Sequence, residues 1–415
     1  MAGEGNHGIL VLASLPPSTM VFRRLRLAIG VLGVLAAGYL PVYGCSIYGF
    51  SEASAPQRFI APARPHYSSA GEPEPTDVHE NTGEVRRVVL ELKPEAHGDG
   101  RLTDLARWAA MERLSAGTTP STLDVDRTSR RLGITAPFPM LLFVNLEARS
   151  WSADLRRALV AQPRSTRHNQ LGVYVDESGL AVVALAASHV TIEPVPRQLS
   201  LGAPLELRAQ LAPGWTRPEW LMTGPDGRVR RLSGALSQTL EGLEQGTHQI
   251  ELLARGPFGL EVAANFPVGV GCEPEVESAD LSGILWAPTA EAFLQAANGI
   301  RQRAGLAPLQ RDAALDRIAA SHTTDMASGG FFAHESPTRG STHERMRKAG
   351  FPYQRYGENI GRARSSEEIH TLWLRSPGHR ANLLDPDFTH IGLGVTTDGS
   401  TAPPVIIATQ IFGGS

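Results

Sequence analysis

Six of the 13 histidines lie between residues 281 and 415: His322, His334, His343, His370, His379 and His390. Imidazole titrates near neutrality and ligates metals, so such a group is where acid–base or metal chemistry would be sought. His334-Glu335-Ser336-Pro337-Thr338 and His343-Glu344-Arg345-Met346-Arg347 both begin His-Glu but lack a second His at i+4. A zinc-binding helix needs both imidazoles on one face, so a metalloprotease of that type is rejected. No G-x-S-x-G elbow and no P-loop occurs. Ser376 stands near His379 as a conceivable nucleophile, but a Ser before Pro-Gly at a helix end reads as a cap or turn residue. His322 shares an apolar helix face with Leu315, Ile318, Ala319 and Met326 and reads as a buried structural histidine. His343 and His370 read as surface residues, the latter beside Glu367 and Glu368, and Trp373 reads as core.

The elements that must position these residues begin at Pro288. Phe293, Leu294, Ala297, Ile300 and Arg301 have helical spacing, and Gly305 ends that helix with Pro308 shortly after. The face carrying His322 is a second helix. Ser365-Ser366-Glu367-Glu368 is a capping box for a third, running through Ile369, Leu372 and Trp373 to Pro377. Strands over His390–Thr396 and Val405–Phe412 close the chain, and their short connection favours an antiparallel sheet. The pattern predicts a mixed α/β domain.

Phe331-Phe332-Ala333-His334, Gly357-Glu358-Asn359-Ile360, the run from Trp373 through Ser376-Pro377-Gly378-His379 to Leu384, and Ile391-Gly392-Leu393-Gly394-Val395 fall in order. Together with Asn298, Arg301 and Gly305-Leu306-Ala307-Pro308-Leu309, they resemble the bacterial branch of the CAP superfamily (cysteine-rich secretory, antigen 5 and pathogenesis-related; SCP-like). The resemblance covers about 288–415. It implies an α-β-α sandwich with an open cleft lined by two His and two acidic residues, which in some members hold a divalent metal. His334, Glu358 and His379 match three of these positions, and Ser376 stands at the fourth, which is acidic in the eukaryotic pattern and usually Ser in bacterial members. Two imidazoles and one carboxylate, His334, His379 and Glu358, can form a three-ligand zinc set. Calcium, which takes six to eight oxygens, suits them less. The alternative is that Glu358 hydrogen-bonds one His, raising its pKa and fixing the cleft wall. Asn359 and Asn382 are expected to tie loops through backbone hydrogen bonds.

Upstream the chain divides by texture. Arg23, Arg24 and Arg26 precede an apolar run from Leu27 to Leu40 and then Val42-Tyr43-Gly44-Cys45. A basic start, a short apolar core and a small residue match a secretion signal, and the ending resembles a lipobox in which Cys45 is lipidated. Residues 1–45 are read as this signal, with Met20 as the expected start because residues 1–19 carry no Lys or Arg. A plain secreted protein and an uncleaved anchor are the alternatives. Residues 46–80, rich in Pro, Ser and Glu, read as a disordered tether. Residues 81–195 read as a small α/β domain: a strand at 85–92, a helix from Leu102 to Leu114, an apolar run from Met140 to Asn145, a helix from Trp151 to Val160, and a hairpin of Leu171–Asp176 with Leu180–Leu185. Residues 196–272 alternate strictly at 205–211 and carry the turn Gly224-Pro225-Asp226-Gly227, which suggests an Ig-like β-sandwich. Residues 273–284 read as an acidic linker and 285–415 as the CAP-like domain.

The net charge of −3 argues against a nucleic-acid partner. Two cysteines among 415 residues give no disulfide framework, and Cys272 is expected to be a free thiol. The expected protein is exported and held to a membrane through Cys45. It presents a binding module for lipid, glycan or protein; the alternative is a hydrolase, a peptidase in particular, using the His/Glu cleft with or without metal. Mass spectrometry of the mature N-terminus checks the anchor: a diacylated Cys45 is the expected first residue, and any other unmodified first residue contradicts it.

Overall fold

The computed structural model describes residues 59–76, 79–275, 281–284, 286–351, 355–399 and 404–414. The signal, Cys45, and the tether up to residue 58 lie outside the described residues. The described residues belong to one compact unit with several cores.

The first segment is helical where a strand is expected. Helix α1 spans Thr82–Leu92 and buries Val85, Val88 and Val89. The β-branched run suggests a strand, but spacings of three and four put these valines on one helix face, and packing overrides propensity. Helix α2 (Gly100–Ala116) starts where Asp99 accepts from Arg101 N and ends at the left-handed Gly117. Helix α3 (Thr122–Arg131), capped by Ser121, is an element the hydrophobic pattern does not reveal. Helix α4 covers Trp151–Val160. The helices flank a four-stranded sheet ordered 97–98, 170–175, 180–186, 140–145, in which Met140–Asn145 is an edge strand.

Part of the expected tether is folded. Residues 59–76 run along this domain and the next one, and His66–Tyr67 pairs antiparallel with Val195–Pro196. Tyr67 is fully buried and stacks on Phe266 at 5.0 Å, so one aromatic anchors a segment whose composition reads as disordered.

Two further sheets enclose a shared core. One has five strands ordered 229–231, 216–223, 246–256, 259–270, 198–199, and the other three, ordered 237–240, 205–211, 190–192. Leu205, Leu207, Trp220, Ile250, Leu252, Phe266 and Val268 fill the space between them. The first strand of this sandwich, Val190–Ile192, precedes the expected boundary at 196. Cys272 at its exit is a half-buried free thiol.

The C-terminal part forms three layers. Its sheet is ordered 310–311, 388–398, 405–414, 355–363, with its three long strands antiparallel. Helices α5 (Ala290–Arg303) and α8 (Ser366–Arg375) pack on one face through Phe293, Leu372 and Trp373. On the other face lie α6 (Ala313–Gly329) and α7 (Thr342–Lys348), through Leu315, Ile318 and Met346. The alternation Ile391-Gly392-Leu393-Gly394 serves both faces: Ile391 and Leu393 enter one core, while a Cβ at Gly392 would stand 2.1 Å from the Leu315 backbone. Strand Arg355–Ala363 and the short helix α9 (Pro377–Leu383) are absent from the periodicity reading, which gives only three helices and two strands here.

The parts are joined by buried polar contacts. Asp126 on α3 pairs with Arg375 on α8 at 3.2 Å, and Thr122 N donates to Glu368 Oε1 at 2.8 Å.

Candidate functional site

Glu358 lies at the centre of the C-terminal cleft, on the edge strand, with its side chain 3% exposed. Its Oε1 accepts from His334 Nδ1 and from Thr342 Oγ1, both at 2.9 Å, and its Oε2 accepts from the Arg345 guanidinium. Arg345 also donates to His334 O at 3.0 Å and Gly340 O at 2.7 Å, so one arginine fixes the loop that carries the imidazole. Burial by itself would push the Glu358 carboxyl up; the His334 hydrogen bond and the Arg345 charge reverse this and hold it at about 2. Thr342 and Arg345 come from α7. The sequence signal for α7 is the capping box Ser341-Thr342-His343-Glu344, which the search for His-Glu pairs passes over.

The second imidazole is fixed from the other side of the cleft. Ser376 is 2% exposed and caps α9, as a Ser before Pro-Gly should. Its hydroxyl also donates to Glu251 Oε2 at 2.6 Å and lies 2.7 Å from His379 Nδ1; with its proton on Glu251, it is the acceptor of that second bond. Glu251 belongs to the sandwich strand Gly246–Gly256 and is fully buried. It accepts further from Gly378 N at 2.8 Å and Asn265 Nδ2 at 2.9 Å. A Cβ at Gly378 would stand 2.9 Å from Glu251 Oε1, so a side chain there would displace the carboxyl from this position. Burial pushes the Glu251 carboxyl up. Burial, with the charge of neighbouring His334, pushes His379 down to about 3, so its ring is neutral at pH 7. Asn359 Nδ2 donates to His379 O at 3.1 Å and Asn382 Nδ2 to Glu358 O at 3.3 Å, the loop ties read from the sequence.

The two imidazoles lie nearly parallel, with ring centroids 6.3 Å apart. Nδ1 of each ring is engaged inside the protein, by Glu358 for His334 and by Ser376 for His379, so the second nitrogen of each, Nε2, is the one left for a ligand. They line a cleft of about 430 Å³ whose far wall is the sandwich, through Leu253, Arg255 and Glu261. An ion pair between Arg255 and Glu335 and a hydrogen bond from Glu335 N to Phe258 O close one end. Burial pushes the Glu261 carboxyl up to about 7, next to His334.

The expected zinc set of His334, His379 and Glu358 is not assembled. Both Glu358 oxygens are taken by His334, Thr342 and Arg345. Among the described residues no group of three His, Cys, Asp or Glu has metal-binding geometry. His322 is fully buried, with Nε2 at 3.0 Å from Ala333 O, and burial pushes it down to about 4. His370 is a correction: it is fully buried, not a surface residue. It lies three residues before Trp373, which puts it on the packed face of α8 between Phe293 and Trp373, despite the two glutamates before it. His343 is exposed, at the cleft rim beside Tyr356.

The family model for CAP, described as the cysteine-rich secretory protein family, matches residues 294–412. The C-terminal part of this chain is a CAP domain. Two curated proteins of Bacillus subtilis (strain 168) are similar to it over 104 residues, a quarter of this chain. The uncharacterized protein YkwD is 43% identical, over 40% of its own length. The uncharacterized membrane protein YlbC is 37% identical, over 30% of its own length. The chain thus spans less than half of either relative. An extracellular SCP-domain protein of Bacillus anthracis aligns at 24% identity over 42% of this chain and 66% of its own, with a TM-score of 0.27. A cysteine-rich secretory protein of Staphylococcus aureus aligns at 14% identity over 59% and 83%, with a TM-score of 0.26. Glu251 and Glu261 lie outside the CAP segment, so the family pattern does not contain them.

Two outcomes follow. Because the Glu358 carboxyl is held below its unfolded value, its stabilisation is present above about pH 4.5 and is lost as pH falls toward 2. The stability gap between the wild type and Glu358→Gln should therefore be on the order of 3 kcal/mol at pH 7 and shrink at pH 3, read by chemical denaturation. A gap unchanged with pH would contradict the ionised pair. Glu251→Ala leaves the Ser376 hydroxyl and Gly378 N–H buried without this acceptor. It should cost about 1–3 kcal/mol per group in the same measurement.

Proposed function

We propose that the chain is an exported protein, held at the cell envelope through lipidated Cys45, whose CAP domain is a non-enzymatic binding module for a lipid, glycan or protein ligand. The observation that carries this reading is the burial of Ser376. Its hydroxyl, on a residue 2% exposed, is held between Glu251 Oε2 at 2.6 Å and His379 Nδ1 at 2.7 Å, so little of it is open to a substrate. Glu358 is ionised and bound to Arg345, which suits it to orienting His334 and not to proton transfer near neutral pH. What lines the cleft is a pair of imidazoles fixed at Nδ1 and the sandwich wall, a surface that can hold a ligand without transforming it. Export is supported by the signal-like segment ending at Cys45, and the relative YlbC is named a membrane protein. No helix among the described residues is long and apolar enough to cross a membrane.

One observation favours a hydrolase instead: the Glu261 carboxyl, titrating at about 7 beside His334, is a proton donor and acceptor at working pH. Incubating the full chain with a peptide library, with and without Zn²⁺, separates the readings. No cleavage is expected. Cleavage that vanishes in both His334→Ala and His379→Ala would overturn the binding-module reading.

A further inference from the structure

A slot of about 370 Å³ lies where the three folded parts of the chain meet. Two strand edges border it: Met140–Asn145, at the edge of the first sheet, and Arg355–Ala363, at the edge of the CAP sheet.

The two edges differ in how their backbone is satisfied. Met140–Asn145 pairs only with Leu180–Ala186, in an unbroken register. Leu146 N donates to Gly179 O at 2.9 Å, so by alternation Met140, Leu142 and Val144 turn their backbone groups toward that neighbour. Leu141 and Phe143 turn theirs away. Among the described residues these N–H and C=O groups have no hydrogen-bond partner, and both residues line the slot. On the CAP edge, by contrast, the outward carbonyls of Glu358 and Ile360 are taken by Asn382 Nδ2 and Trp373 Nε1. The unsatisfied edge is that of the first domain.

We propose that this edge captures an extended polypeptide segment of a partner protein by strand addition. The site belongs to the first domain and goes beyond the reading given for the histidine cleft.

Unpaired donors and acceptors repeating along a strand are matched by another extended backbone, which supplies both at the same spacing. Edges that must stay unpaired carry charges, a proline or a bulge. Met-Leu-Leu-Phe-Val-Asn has none of these, and Pro139 stands just before it, where it marks the point from which pairing can begin. An independent observation comes from the opposite wall. His168 is 4% exposed and lines the slot, with Nδ1 unpartnered. Buried polar atoms are almost always hydrogen-bonded, and a peptide backbone offers this one either a donor or an acceptor. The slot also sets the pattern of the segment. Leu141 and Phe143 share their face of the sheet with Val125 of α3, whereas α4 packs on the other face and the segment leaving it brings Gln162 and Thr166 to the slot. Successive side chains of an added strand point to opposite faces, so apolar and small polar residues should alternate along it.

Amide hydrogen exchange of the full chain tests this, with the capped pentapeptide Val-Thr-Val-Thr-Val as probe. At about 3.3 Å per residue it matches the length of the edge. The control is the same peptide N-methylated at every residue, which keeps the side chains and removes the donors. At saturation the probe should slow exchange of the Leu141 and Phe143 amides at least tenfold, and the N-methylated peptide should leave them unchanged. Leu141→Pro removes an outward N–H that makes no ladder bond and should weaken binding at least tenfold. If that variant does not fold, the comparison of the two peptides on the wild type decides alone. Equal binding of both peptides, or no protection at Leu141 and Phe143, would overturn the proposal. So would protection already present without peptide: if independent of concentration, the chain covers its own edge, and if it grows with concentration, a second copy does. Recovery of the probe cleaved removes the binding-module reading of the cleft and leaves strand addition standing.

Discussion

The carboxyl of Glu251 is the constraint on which the site depends. It leaves the sandwich strand Gly246–Gly256, is fully buried, and accepts from the Ser376 hydroxyl, the Gly378 N–H and Asn265. A buried carboxyl is tolerated only where hydrogen bonds replace its hydration, so the two domains must meet in one register for it to be satisfied. That register places a carboxyl beside Ser376. Glu251 thus holds Ser376 from a neighbouring domain, behind the cleft wall. The sandwich is then a wall of the site and not only a spacer.

The two imidazoles are held by parallel devices of different chemistry. His334 is oriented by an ionised carboxylate that Arg345 neutralises, and His379 by a hydroxyl that Glu251 orders. In both, Nδ1 is engaged inside the protein, so the site presents two imidazoles of fixed orientation. The strand Gly259–Val270 lines the cleft beside them through Leu260, Glu261 and Val262.

How much of this the sequence shows depends on whether the information is local. Helices α2, α4, α5, α6 and α8 are legible because their apolar residues recur at helical spacing and polar caps mark their starts. Ser376 as a helix cap is legible for the same reason. The α1 segment is not, because Val85, Val88 and Val89 are β-branched and their propensity conflicts with their spacing. Strand Arg355–Ala363 is obscured by Gly357 and Gly361, which make room for Asn382 and for Ile369 and Trp373 and dilute the apolar pattern. Three of the four cleft positions, His334, Glu358 and His379, come forward through the family motifs. Glu251 cannot: alternation with Ile250 and Leu252 in the core assigns it to the outer face of its sheet, and that face is normally wet. Only the docking of α9 on that face turns a solvent position into a buried one. The burial of His370 and the folding of residues 59–76 are long-range outcomes of the same kind.

The account turns on the hydrogen-bond chain from Glu251 through Ser376 to His379. Long-range ¹H–¹⁵N spectra of the histidine side chains at pH 7 measure it directly. The predicted result is a neutral His379 whose proton resides on Nδ1, with an unprotonated Nε2. A His379 found as the Nε2–H tautomer, or as an imidazolium, would contradict it, since Ser376 would then be free to act toward the cleft.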